Sequence, residues 1–118
     1  MNIEEFHDYC MAKKGVTESF PFNDTALVMK VLDKMFALAN LDGPLSISLK
    51  CDPGKAVELR EQYPAIRPAY HFNKKHWNTI EIDGSIDLKT IQSLIDHSYD
   101  LVVSKMTKAK QKELSGLA

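Results

Sequence analysis

The sequence lacks most of the features that identify small catalytic or exported domains. Its only cysteines, Cys10 and Cys51, stand 41 residues apart in different predicted elements. They form neither a CxxC pair nor half of a zinc ligand set, and read as reduced, buried thiols. No apolar run approaches the roughly 18 residues that cross a bilayer. The N-terminus, Met1-Asn2-Ile3-Glu4-Glu5, is acidic where a signal peptide is basic, so a cytoplasmic protein with no membrane partner is expected. The phosphate-loop, dinucleotide-fold and zinc-protease signatures are all missing, which leaves a nucleotide cofactor or a helix-borne metal without an evident seat. A surplus of one charge is missing too: 15 Lys plus Arg stand against 16 Asp plus Glu, a net charge of −1. A domain that neutralises phosphates usually carries a basic excess, so any nucleic-acid function must rest on local charge.

What is present describes one globular domain over residues 1–118, with 44% hydrophobic and 26% charged residues. Asn2 and Glu5 form a capping box, and Ile3, Phe6, Tyr9 and Cys10 make one stripe of a first helix that Gly15 should end. Ala26 to Leu32 is a short, β-branched run that predicts a strand, Asp33-Lys34 a turn, and Met35 to Ala39 its return. Leu45, Ile47 and Leu49 alternate with Ser46, Ser48 and Lys50, the pattern of a strand with one face in the core and one wet. Asp52-Pro53 starts a helix and Pro64 stops it. Strands follow near Ile66–Tyr70 and over Trp77–Ile82. A long helix then starts at Asp87, with Leu88, Ile91, Ile95, Tyr99, Val102 and Met106 as its predicted inner stripe. A short basic tail, about 107–118, follows it. The order α-β-β-β-α-β-β-α predicts a two-layer α+β domain, an antiparallel sheet with helices on one face; strand order is left open.

Candidate chemistries outside one segment are weak. His7 and Cys10 lie one helical turn apart, but the thiol sits on the apolar stripe, where burial rather than activation is expected. Asp96-His97-Ser98 has the residue types of a hydrolase triad. Successive helix residues point about 100° apart, however, so no relay forms and His97 reads as a helix-surface residue near Tyr99. His71 and His76 bracket Lys74 and Lys75, which would repel a divalent cation. No catalytic residue, cofactor or metal is expected, and the chain reads as non-enzymatic.

The unusual segment is Arg67-Pro-Ala-Tyr-His-Phe-Asn-Lys-Lys-His-Trp77, with three permanent cations, two imidazoles, three aromatics and no carboxylate. Cations neutralise phosphates and aromatic rings stack on bases or wedge into grooves. The competing reading is architectural: Asn73 and His76 satisfy loop backbone groups while Trp77 closes the end of the sheet. The run Tyr70-His71-Phe72-Asn73-Lys74-Lys75-His76-Trp77-Asn78-Thr79, followed by Asp83-Gly84-Ser85, resembles the hallmark of the MmcQ/YjbR family of small bacterial proteins. Lys34-Met35-Phe36-Ala37-Leu38, Leu49-Lys50-Cys51-Asp52-Pro53 and Ser98-Tyr99-Asp100-Leu101-Val102-Val103 agree with it. Ala69 stands where that pattern leads one to expect glycine.

The resemblance implies a fold akin to type III secretion chaperones, also called double-wing or CyaY-like, and a DNA-binding role without catalytic residues. On this reading Arg67, Lys74 and Lys75 contact phosphates, joined by Lys50 from the sheet face, Asn73 and His76 orient the loop or meet a base edge, Trp77 stacks or buttresses, and His71 belongs to the same nucleic-acid-binding segment. The alternative expectation is a protein-interaction or chaperone-like module, in which the exposed sheet face takes a protein partner or a second copy of the chain.

Overall fold

The computed structural model describes residues 1–117. In chain order it contains α1 (Ile3–Met11), β1 (Val16–Ser19), β2 (Ala26–Val31), β3 (Lys34–Asn40), β4 (Ser46–Lys50), α2 (Pro53–Gln62), β5 (Ile66–Pro68), β6 (Trp77–Glu81), α3 (Leu88–Ser104) and α4 (Lys108–Ser115). The six strands form one sheet in the order β1-β2-β3-β4-β6-β5, every pair antiparallel.

The two-layer α+β architecture therefore stands, with one strand and one helix beyond the predicted order. β1 pairs with β2 from Val16↔Val31 to Ser19↔Val28 at the sheet edge. The basic tail folds as α4, capped by Thr107, whose hydroxyl accepts from the Lys110 amide; Ala118 lies outside the described residues. Asn2 and Glu5 form the reciprocal capping box, but α1 ends at Met11 and not at Gly15. Gly15, at φ +72, instead turns the chain into β1. Glycine suits this left-handed conformation, and a Cβ there would also lie 2.6 Å from the Leu114 side-chain methyl of α4, which would have to shift. The β2–β3 turn is centred one residue earlier than expected, on Leu32 (φ 44) and Asp33 (φ 70). Two successive left-handed residues give the twist that a two-residue hairpin needs.

Register separates the two faces. Leu27, Met29, Ala37, Ile47, Leu49 and Ile80 point to the helix layer, where they pack with Phe6 and Cys10 of α1 and Ile91 and Ile95 of α3. Leu88 does not join them; it is exposed at the start of α3. Asn78 also faces the helices. Its amide donates to the Ala56 carbonyl and its Oδ1 accepts from Arg60, which fastens α2 to β6. On the opposite face, Ser46, Ser48 and Lys50 of β4 align with Glu81, Thr79 and Trp77 of β6, and Arg67 of β5 stands opposite Thr79. Among the described residues, no helix is long and apolar enough to cross a membrane.

Candidate functional site

Among the described residues the four helices pack on one side of the sheet, which leaves loops to cover its other face. The expectation that β4 would be wet on this face is corrected. Ser46, Ser48 and Thr79 are buried there, and the Ser48 and Thr79 hydroxyls bond to each other at 2.8 Å. They form the floor of a cleft of about 540 Å³. Phe22 and Asn23 line one side of it, and Ala69, Tyr70, His71 and Phe72 line the other. The second wall belongs to the segment that stands out in the sequence. The first, between β1 and β2, carries no such signal in the sequence, because Phe22 lies 48 positions before Tyr70 and only the sheet brings them together.

Local hydrogen bonds build the 69–77 loop. Phe72 N–H donates to the Ala69 carbonyl and His76 N–H to that of Asn73, two successive reversals, while Ala69 N–H and the Trp77 carbonyl close the base. The Asn73 side chain accepts from the Lys75 amide at 3.0 Å, and Arg60 donates to the Lys74 carbonyl. Ala69 is buried without a positive φ, so the absence of glycine costs nothing at this turn. Phe72 stacks on Trp77 with ring centres 4.9 Å apart and planes 22° apart. That contact half-buries Trp77 on the outer face beside Lys50, its partner in register.

The proposed site residues separate into groups. Lys74 and Lys75 are exposed at the loop tip, with the Lys74 ammonium 4.9 Å from the centre of the Tyr70 ring. His71 is exposed in the cleft wall, whereas His76 is half-buried and its carbonyl accepts from the Cys51 amide. Arg67 is paired with Glu81, two residues further along the same face of the neighbouring strand. The segment from 67 to 77 has no carboxylate of its own, but the sheet supplies one.

The remaining candidates are structural. Asp96 accepts from the Tyr9 hydroxyl and from Lys13, His97 Nε2 from the Asp52 amide, and the Ser98 hydroxyl donates to the Phe36 carbonyl. Three consecutive residues thus serve three different neighbours. His97 is half-buried against the start of α2, not a free surface residue, and burial followed by the nearby Lys55 charge lowers its pKa. His7 bonds to Asp8 and Glu18, and the Asp8 hydrogen bond is the main cause of its raised pKa. Among the described residues, no three His, Cys, Asp or Glu side chains gather closely enough to hold a metal ion. Cys10 is fully buried, and burial pushes its thiol pKa up to about 12. Because the thiolate is the reactive form, a thiol-directed reagent at pH 8 should leave Cys10 unmodified in the native protein and label it only on unfolding. Native-state labelling at Cys10, read by peptide mass, would contradict this burial.

Comparison with known proteins places this geometry among relatives. A family model described as YjbR matches residues 11–101. The chain is 38% identical over 115 residues to an Escherichia coli K12 protein called "Uncharacterized protein YjbR", covering 97% of this chain and 98% of that one. A crystal structure of a Deinococcus radiodurans protein with a DUF419 domain superposes with a TM-score of 0.90 at 41% identity, covering 97% of this chain and 88% of that one. A Pseudomonas syringae protein superposes at 0.75 with 32% identity, covering 86% of this chain and 98% of that one.

Proposed function

The chain belongs to the YjbR family, and from that premise we propose that it is a non-enzymatic DNA-binding domain whose contact surface is the helix-free sheet face and the 69–77 loop. The observation that carries the proposal is the joining of an aromatic-walled cleft to cations: exposed Lys74 lies over Tyr70 at the rim, exposed Lys75 is next to it, and half-buried Lys50 is beside Trp77. Cations with adjacent rings fit a polyanion that also presents flat bases. The burial of Cys10 and Ser98 supports the non-enzymatic part, since neither nucleophile is open to a substrate.

Trp77 provides the signal for the test. Duplex DNA titrated at 50 and 200 mM salt should bind with a log–log salt slope of about −2.7 if Lys50, Lys74 and Lys75 each displace one counterion, a weakening of roughly 40-fold across that range. If Arg67 leaves Glu81 to join them, the slope steepens to about −3.6. Absence of binding tighter than about 10⁻⁴ M at the lower salt, weaker than ordinary non-specific association, overturns the proposal.

One observation favours a second reading, a protein-interaction module. The single permanently charged side chain among the described residues lining the cleft, Arg67, is already neutralised by Glu81, and Phe22 is exposed in its wall. A mass that rises with protein concentration, together with no salt-sensitive DNA affinity, supports that module instead.

A further inference from the structure

We propose that the cleft is a pocket for an unpaired nucleobase, so that the domain selects single-stranded over double-stranded nucleic acid; this deepens the DNA-binding reading and rests on it. The cleft lies over the middle of the sheet. β3 and β4 are bonded to a neighbour on both sides there, so no free strand edge is offered to an extended peptide. What it offers instead is two aromatic walls carried by different loops and a hydroxyl floor. Phe22 and Tyr70 are 65% and 63% exposed, values unusual for such large rings in a chain with a well-filled core. A volume of about 540 Å³ falls within the range of small-ligand pockets.

The chemistry of walls and floor fits a base better than a saturated ligand. A base has two π faces to stack on Tyr70 or Phe22 and a polar edge to direct at the floor. The Ser48–Thr79 pair uses one of its two hydroxyl protons internally, which leaves the other proton and several lone pairs for such an edge. Arg67 uses Nη1 on Glu81 and retains further N–H groups. The Lys74 ammonium above Tyr70 marks the lip, where the phosphate of a base stacked on that ring would run, so the charge complementarity is local to the pocket. A paired base cannot enter without being flipped from its stack, and that cost is the origin of the selectivity.

The experiment compares the single strand dT12 with the duplex dT12·dA12, using the full chain and its Phe22→Ala and Tyr70→Ala variants. Both rings are exposed, so both variants should fold. The single strand should bind at least tenfold more tightly than the duplex at equal salt. Each variant should lose on the order of tenfold for the single strand with little change for the duplex, and saturating dT12 should shift the Ser46 and Thr79 amide resonances. Equal affinity for the two forms, variant losses below twofold, or unmoved floor resonances would overturn the pocket while leaving DNA binding intact. Failure of both forms to bind overturns the pocket and the DNA-binding reading together.

Discussion

Ser98→Ala is expected to lower the unfolding free energy by about 2–6 kcal/mol, because it strands two backbone groups of the kind that each cost about 1–3 kcal/mol when buried without a partner. The reason lies in the register. The β2–β3 pairing jumps from Met29↔Ala37 to Lys30↔Met35, so Phe36 is the extra residue of a bulge. The β3–β4 ladder begins only at Ala37↔Leu49, which leaves the Phe36 carbonyl and the Lys50 amide without each other. The fully buried Ser98 fills that break. Its hydroxyl donates to the Phe36 carbonyl at 2.5 Å and accepts from the Lys50 N–H at 2.9 Å, tying α3 to both strands. Urea unfolding of Ser98→Ala should show a lower midpoint with an unchanged slope, and the exposed Ser93→Ala should stay within about 0.5 kcal/mol of the parent. A loss at position 98 as small as that at 93 would mean that water or a local shift satisfies both groups.

How much of this was legible beforehand follows from where the information resides. Capping at Asn2 and Asp52, the alternation of faces along β4 and the stripe of α3 from Ile91 to Val102 are local patterns that appear where the spacing puts them, whereas Leu88, one turn earlier, is exposed. β1 escaped because Val16-Thr17-Glu18-Ser19 offers a single apolar residue; its position at the sheet edge demands no more. The burial of Ser46 and Ser48 escaped for a different reason. Alternation tells which face a side chain occupies, but here the covering is done by two loops separated by more than forty residues. The same limit applies to the Arg67–Glu81 pair, which exists only because β5 lies on β6 with Arg67 opposite Thr79.

That pair changes the weighting within the cationic segment. Three permanent cations in eleven residues suggest three equivalent phosphate contacts, but Arg67 has a carboxylate partner, while Lys74 and Lys75 are held forward by a loop that does not depend on their side chains. Asn73 and Arg60 bond to main-chain atoms of residues 75 and 74, so the architectural and binding readings of the motif are compatible: polar side chains shape the loop and the lysines remain available.

Reversing both charges, Lys74→Glu with Lys75→Glu, should therefore weaken duplex binding by about a hundredfold or more at 50 mM salt and flatten the salt slope from about −2.7 to about −0.9, since two of the three counterion-releasing contacts disappear. Both side chains are exposed and the loop's hydrogen bonds use main-chain atoms, so thermal stability should change little. The decisive control makes the same change in net charge elsewhere. Lys108→Glu with Lys110→Glu alters α4, whose buried Leu114 anchors it in the helix-side core, away from the open sheet face. If binding is set by the local cations, this second pair should leave affinity within about threefold at 0.15 M salt, where the screening length of about 8 Å confines the effect of an exposed charge. Equal losses from the two double variants would mean that overall charge governs association and that the 69–77 loop has no special part in it; unchanged affinity in the Lys74/Lys75 variant would remove the loop from the interface altogether.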